Sequence, residues 1–94
     1  MYHIIINPAS RSGKASKIWQ KQIEPALQRE DISYRAYFSQ KAGDVARIAR
    51  SILNACEEIP LRLIILGGDG TVNEALQGMT DTSRILLGYI PTGS

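Results

Sequence analysis

Residues 61–78 read LRLIILGGDGTVNEALQG, and this stretch decides the fold of the chain. Its first part, interrupted only by Arg62, is an apolar run typical of a parallel strand that is covered on both faces. A glycine-rich turn follows, and then Thr71 and Glu74 stand in the spacing of a capping box, which marks the start of a helix. The stretch therefore predicts a buried strand over residues 61–66 and a helix over residues 71–78.

The turn between this strand and helix suits a bound phosphate group. Gly67, Gly68 and Gly70 allow a tight turn and a close approach of the backbone to a ligand, because no Cβ atom stands in the way. The free N–H groups and the positive dipole end of a helix N-terminus favour anions. The local pattern predicts a phosphate site.

Two common phosphate-binding motifs are excluded. A Walker A loop needs Ser or Thr after its Gly-Lys pair, whereas Gly13-Lys14 is followed by Ala15. A dinucleotide fingerprint needs a third glycine where this chain has Asn73.

Strand-like and helix-like segments alternate along the whole chain. Residues 44–55 form the clearest helix, because apolar side chains recur every three or four residues and Asp44 is a suitable N-cap. Pro25 is expected to kink the preceding helix or to divide it near Glu24. The alternation predicts an α/β fold with a parallel sheet. The predicted strands cover residues 2–6, 33–38, 61–66 and 85–90, and the predicted helices cover residues 14–29, 44–55 and 71–78.

The composition is that of a small soluble globular domain. The 94 residues are 44% apolar and 21% charged, and a net charge of +2 is too small to indicate a nucleic-acid partner. Cys56 is the only cysteine, which favours a reducing cytoplasm, and it is assigned a small, buried apolar role. His3 has no partner visible in the sequence and is assigned no site role. The first residues show neither a signal peptide nor a membrane span.

Polar loops follow the other predicted strands, and each has an ordinary structural explanation. Asn7 and Ser10 can cap backbone groups in a strand-to-helix loop, Ser39 can be a strand-end hydroxyl, and Asp69 can form an Asx turn. An acid beside a phosphate cradle needs a cation between them, so a Mg²⁺ ion at Asp69 is the functional alternative. The chain stops at Pro91-Thr92-Gly93-Ser94, at the edge where open α/β sheets bind ligands, which predicts an N-terminal piece of a larger protein.

The sequence Gly-Gly-Asp-Gly-Thr followed by Val-Asn-Glu resembles the nucleotide loop of the diacylglycerol kinase catalytic domain family. That family includes bacterial lipid kinases and sphingosine kinases, and it shares the loop with NAD kinases and, more distantly, 6-phosphofructokinases. The Asn-Pro loop after the first strand and the Pro-x-Gly-Ser ending resemble two further family motifs. The resemblance implies a three-layer α/β/α domain that binds ATP with Mg²⁺, with Asp69 as the catalytic residue whose carboxylate organises the metal and the phosphates. The nucleotide-binding residues that it implies are Asn7, Pro8, Ala9, Ser10, Ser39, Gly67, Gly68, Asp69, Gly70, Thr71, Val72, Asn73, Glu74 and Ser94.

The resemblance also implies parts that lie outside these residues. Members of the family carry a second, β-rich domain that supplies the general base and most of the lipid-binding surface. Residues 1–94 are thus expected to be the nucleotide-binding part of a lipid kinase that acts on a hydroxyl such as that of diacylglycerol, and to be inactive alone. The expected location is the cytoplasm, with transient contact at the inner face of the membrane, and a homodimer is left open. An NAD kinase and a non-catalytic nucleotide-binding module remain the alternatives.

Overall fold

Strands and helices alternate along the chain in the computed structural model, which describes residues 1–9 and 13–92. Each of the first three strands is followed by a helical connection to the next strand, because apolar runs alternate with amphipathic segments. The elements are β1 (Tyr2–Ile6), α1 (Lys14–Ile18), a π-helical segment (Trp19–Ile23), α2 (Glu24–Arg29), β2 (Tyr34–Phe38), α3 (Asp44–Ala55), β3 (Leu61–Gly67), α4 (Asp69–Gln77) and β4 (Ile85–Pro91).

The four strands form one parallel sheet in the order β2-β1-β3-β4. The two central strands are β1 and β3, and their registers pair Ile5 with Ile65 and Ile6 with Leu66. Apart from His3 in β1 and Arg62 in β3, both strands are apolar on both faces, which is typical of parallel strands covered on two sides. The predicted parallel sheet is confirmed.

Side chains of the central strands alternate between two apolar cores, one on each face of the sheet. Ile5 and Ile65 pack with the apolar stripe of α3, whereas Ile4 and Ile6 pack with Trp19 on the other face. The three-layer α/β/α arrangement is therefore confirmed. None of the helices within residues 1–9 and 13–92 has the length and apolar character needed to cross a membrane.

The helical connection between β1 and β2 changes its geometry just before Pro25. The N–H group of Glu24 bonds to the carbonyl of Trp19, five residues earlier, and α2 begins at Glu24. Pro25 has no N–H group to continue an α-helical ladder, so a widened π turn precedes it. The predicted division of this helix near Glu24 is confirmed.

Element boundaries agree with the sequence to within a residue except at the start of one helix. The bounds of β1 and α3 are those predicted, but α4 begins at Asp69 instead of residue 71. Gly68 is the N-cap of α4, so the predicted capping box of Thr71 and Glu74 is wrong. The predicted N-cap role of Asp44 is also wrong, because Gly43 holds that position with a φ of 87°.

Candidate functional site

The loops that follow the four parallel strands meet at one edge of the sheet. Asn7 follows β1, Ser39 follows β2, Gly68 follows β3 and Thr92 follows β4. In open α/β sheets, the carboxyl ends of the strands are the ordinary place for a ligand. This edge is therefore the candidate site.

A chain of side-chain hydrogen bonds joins three of these loops. The Ser39 hydroxyl donates to Asn7 Oδ1 over 3.3 Å, and Asn7 Nδ2 donates to Thr71 Oγ1 over 3.3 Å. Ser39 and Thr71 are buried, with relative exposures of 7% and 6%. Because a buried polar network restrains its members, the Asn7 amide fixes the loop after β2 relative to the first turn of α4.

Gly67 allows β3 to run directly into α4. A Cβ atom at this position would lie 2.5 Å from Thr71 Oγ1, which is closer than side-chain atoms approach one another. The carbonyl of Gly67 accepts a hydrogen bond from the N–H group of Thr92 over 3.2 Å, which ties the end of β4 to the same turn. Glycine at this position is therefore explained by packing inside the protein.

The first turn of α4 presents backbone N–H groups with no side-chain cap. The N–H groups of Thr71 and Val72 turn back to the Gly68 carbonyl, at 3.0 and 3.4 Å. The N–H groups of Asp69 and Gly70 belong to the first turn, where the hydrogen bonds of the helix itself do not reach the N–H groups. Among the described residues, no atom beyond its chain neighbours and the backbone of its own helix lies within 4 Å of the place where a Cβ of Gly70 would stand. Packing in the described chain gives no reason for glycine there, and the space beside it suits an anion that approaches the helix N-terminus.

Asp69 lies at the start of α4, beside the final strand of the sheet. The Tyr89 hydroxyl donates to Asp69 Oδ1 over 3.1 Å. Partial burial, and then the hydrogen bond to Asp69, raise the pKa of Tyr89 above its ordinary value, so the phenol stays protonated and donates. The hydrogen bond that holds the Asp69 side chain is thus made to a side chain on β4. It is not the bond to nearby backbone that the Asx-turn explanation of Asp69 predicted.

Glu74 contacts the neighbouring helix instead of the start of its own. Its Oε2 atom accepts the N–H group of Ala46 over 3.2 Å, which satisfies a backbone donor in the first turn of α3. Glu74 also lines a cavity of about 210 Å³ at the carboxyl edge of the sheet. The remaining residues around this cavity are Asn7, Ala9, Ser39, Gln40, Lys41, Ala42 and Val45.

Asp44 holds the loop that forms one wall of this cavity. Its Oδ2 atom accepts the N–H groups of Gln40 at 2.8 Å and Lys41 at 3.2 Å, and its Oδ1 atom accepts from Arg47 at 3.3 Å. The hydrogen bond from the Gln40 backbone is the main reason that the pKa of Asp44 lies below its ordinary value, although burial opposes the shift. Asp44 therefore acts as a positioning residue for a loop that contributes Lys41, the cationic side chain of the cavity wall.

Replacing Asp44 with Asn is expected to lower the free energy of unfolding at about pH 6. It should also make the free energy of unfolding less dependent on pH in the acid range. The folded-state pKa of Asp44 is depressed, so its stabilisation is complete above the unfolded-state pKa near 3.8 and is lost as the pH falls through the folded-state value. The difference in free energy between wild type and Asp44→Asn should thus shrink between about pH 6 and about pH 3, as measured by urea unfolding. Arg47→Gln leaves both backbone bonds in place and should have the smaller effect. A difference that is independent of pH would contradict this account.

The predicted site residues fall into three groups. The first group surrounds the cavity: hydrogen bonds join Asn7, Ser39 and Thr71, and Ala9 and Glu74 line the cavity. The second group lies where β3 runs into α4 and comprises Gly67, Gly68, Asp69 and Gly70. The third group lies apart from both: Asn73 is exposed on α4, and Pro8 is in the turn after β1. Val72 packs against the apolar core, and Ser10 and Ser94 lie outside the described residues.

Sequence reasoning missed Gln40, Lys41, Asp44 and Tyr89 as parts of this region. The backbone bonds to Asp44 span three and four residues, so a carboxylate at that spacing after a strand-end serine is a signal that could have been used. The contact between Tyr89 and Asp69 spans 20 residues and leaves no local pattern.

Comparison with known proteins gives consistent matches along the chain. The family described as "Diacylglycerol kinase catalytic domain" matches residues 1–94. A diacylglycerol kinase of Staphylococcus carnosus (strain TM300) is 33% identical over 92 residues, which cover 97% of this chain and 29% of that protein. The Sphingoid long-chain bases kinase 1 of Arabidopsis thaliana is 31% identical over 98 residues, which cover 97% of this chain and 12% of that protein.

The fold also matches a solved structure. The crystal structure of a diacylglycerol kinase from Bacillus anthracis str. Sterne aligns with a TM-score of 0.73 and 24% sequence identity, over 98% of this chain and 32% of that one. The chain spans less than a third of the length of the curated relatives named above. Because the family match extends over all of residues 1–94, the chain belongs to the diacylglycerol kinase catalytic domain family.

Proposed function

We propose that residues 1–94 bind Mg-ATP at the carboxyl edge of the sheet, as the nucleotide-binding part of a lipid kinase. One observation carries the proposal: the hydrogen-bonded chain of Ser39, Asn7 and Thr71 holds three loops around the N-terminus of α4, which has no side-chain cap. The phosphates would lie against the N–H groups of Asp69 and Gly70, where the helix dipole favours negative charge. The cavity beside Asn7, Ser39 and Lys41 would take a further part of the nucleotide.

Asp69 fits a Mg²⁺ ion that is bound mainly through phosphate oxygens. Its Oδ1 atom accepts a hydrogen bond from Tyr89, and a carboxylate has further lone pairs with which it can bind a cation. Mg²⁺ in kinases is commonly held by one or two carboxylates together with substrate phosphates and waters. When bound, the ion would neutralise charge on the phosphates, and Asp69 would hold it near the start of α4.

In the full-length protein, we propose that the bound ATP gives its γ-phosphoryl group to a lipid hydroxyl such as that of diacylglycerol. The bond from the γ-phosphorus to the bridging oxygen breaks, a bond to the lipid oxygen forms, and the hydroxyl proton passes to a general base. Membership of the family supports this reaction. Residues 1–94 provide the nucleotide side of the cleft, so we expect them to show no lipid kinase activity by themselves and to bind Mg-ATP only in the millimolar range.

A titration of isotope-labelled protein with Mg-ATP tests the site directly. Amide shifts are expected at Gly67–Asn73 and, more weakly, near Asn7. Shifts confined to the amino edge of the sheet would show that the site is misplaced. An activity assay that offers both NAD and diacylglycerol to the full-length protein separates the enzymatic alternatives, and a product from NAD alone would overturn the lipid assignment.

Gly70→Ala is expected to weaken Mg-ATP binding about tenfold or more, with no loss of stability. In the part of the chain that the structure describes, the added methyl group meets no atom outside its own helix within 4 Å. Alanine is also a better helix former than glycine, so folding should be unaffected or slightly favoured. The same methyl group would stand where the phosphates are proposed to approach the backbone. Calorimetric titration with Mg-ATP, alongside thermal unfolding, separates the two effects. Unchanged affinity would place the phosphates elsewhere.

A further inference from the structure

A second group of chemically active side chains lies at the opposite, amino edge of the sheet. It consists of His3 on β1, together with Cys56 and Glu58 from the connection between α3 and β3. One ligand atom from each residue lies within 4.8 Å of the other two. Four residues of strand, or about 13 Å, separate His3 from Asn7, so this cluster is distinct from the nucleotide edge.

The two ring nitrogens of His3 have different environments. Nδ1 lies 3.1 Å from the Tyr37 hydroxyl, whereas Nε2 faces both Glu58 Oε1 at 3.1 Å and Cys56 Sγ at 3.6 Å. The ring is almost completely buried, at 1% relative exposure. One nitrogen carries one proton or one lone pair, so it cannot make a full hydrogen bond to both neighbours. His3 Nε2, Cys56 Sγ and a Glu58 carboxylate oxygen are close enough to one another for a single cation to contact all three.

The two separations from His3 Nε2 are close to those around a tetrahedral zinc ion, and the sulfur and the carboxylate oxygen lie within 4.8 Å of each other. Bond lengths of about 2.05 Å to nitrogen, about 2.1 Å to oxygen and about 2.3 Å to sulfur give edges of about 3.4 Å for N–O and about 3.6 Å for N–S. The observed N–O and N–S distances are 3.1 and 3.6 Å. Binding therefore needs the ligand atoms to move by only about 0.3 Å along these two edges.

We propose that His3 Nε2, Cys56 Sγ and the Glu58 carboxylate bind a Zn²⁺ ion, with water as the fourth ligand. An imidazole and a thiolate favour zinc over the hard cations Mg²⁺ and Ca²⁺. The Cys56 thiol gives its proton to solvent when the zinc–sulfur bond forms. Tyr37 is placed to accept the Nδ1 proton of His3, which fixes the ring so that Nε2 faces the metal.

The ion would tie the start of the sheet to the end of a helix. His3 belongs to a central strand, and Cys56 and Glu58 directly follow α3. Glu58 Oε2 is also 3.4 Å from the amino group of Met1, so Oε1 is the oxygen that faces His3. A metal at this point therefore has a structural position, away from the proposed phosphoryl transfer.

The test is a titration of the full-length protein with Zn²⁺ alone, followed by calorimetry, and with Co²⁺ followed by its absorption spectrum. We expect about one ion per chain at this site and a thiolate-to-cobalt charge-transfer band. Cys56→Ser should abolish the band and weaken Zn²⁺ binding by more than about tenfold, and Tyr37→Phe should weaken it by about tenfold. Glu57→Gln changes the neighbouring exposed acid and should leave both signals unchanged. Absence of the band in wild type, or equal losses in Cys56→Ser and Glu57→Gln, would overturn the proposal.

A measurement on the unmodified protein covers the case in which the variants do not fold. Cys56 is partly exposed, so a thiol reagent should alkylate it in the metal-free protein. Saturating Zn²⁺ should slow that alkylation by about tenfold or more if the sulfur is coordinated. Alkylation at the same rate with and without Zn²⁺ would show that Cys56 is not a ligand.

Discussion

Asp69→Asn in the full-length protein is expected to reduce kcat for lipid phosphorylation by at least about 100-fold, because the proposed cation loses its protein carboxylate. The substitution keeps the shape of the side chain, and the amide oxygen can still accept from the Tyr89 hydroxyl. The fold should therefore survive, and the loss should be visible in turnover measured with saturating Mg-ATP and lipid vesicles.

Asp31→Asn is the matched control for this experiment. Asp31 is exposed in the turn before β2 and has a φ of 57°, a backbone conformation that asparagine also adopts readily. The same chemical change at that position should leave turnover within about twofold of wild type, as is usual for a surface position. Turnover of Asp69→Asn within a few-fold of wild type would remove Asp69 from the proposed site.

The order and type of the elements could be predicted because they depend on local patterns. The apolar run of β3 and the apolar stripe of α3 each repeat over a few residues, and the structure places both segments as expected. The position of Pro25 likewise located the division of the first helical connection. These signals are carried by the residues of the element itself.

The details of the candidate site depend on contacts that local spacing does not encode. Thr71 and Glu74 have the spacing of a capping box, yet their partners are Asn7, 64 residues away, and the backbone of Ala46, 28 residues away. The helix then begins at Asp69, because Gly68 supplies the cap position with its own carbonyl. The spacing of Thr71 and Glu74 along the chain is the same whether they cap their own helix or contact distant residues, so spacing alone could not distinguish the two.

His3 illustrates the same limit at the other edge of the sheet. The sequence offers it no partner and so assigned it no role, but Tyr37, Cys56 and Glu58 reach it from 34 to 55 residues away. Parallel pairing of β1 with both β2 and β3 brings these segments together. Cys56 packs against the apolar core, as the predicted apolar role implies, but it is only partly buried and also lies beside His3.

Gly78→Ala is expected to lower the free energy of unfolding by about 3 kcal/mol, the largest effect on stability that we predict. A Cβ atom at Gly78 would lie 2.2 Å from the carbonyl oxygen of Ala46 and 2.8 Å from its Cα atom. These are backbone atoms of α3, so the clash can be relieved only by moving α4 away from α3. That movement would also stretch the bond from the Ala46 N–H group to Glu74. Thermal unfolding and hydrogen exchange of the peptides from α3 and α4 measure the loss.

Gly70→Ala serves as the control, because it makes the same substitution at the other end of α4, where the described residues place no atom of another element within 4 Å. The φ of Gly78 is −77°, so its backbone conformation is open to alanine and any loss must come from the contact with α3. If Gly78→Ala were as stable as Gly70→Ala, the close packing of the two helices would be wrong.

Since α4 carries the proposed phosphate-binding amides at its other end, Gly78→Ala should also weaken Mg-ATP binding although Gly78 touches no part of the site. Gly70→Ala should weaken that binding without the loss of stability. Comparing the two variants therefore distinguishes a loss of affinity caused by moving α4 from one caused by blocking the phosphate at its N-terminus.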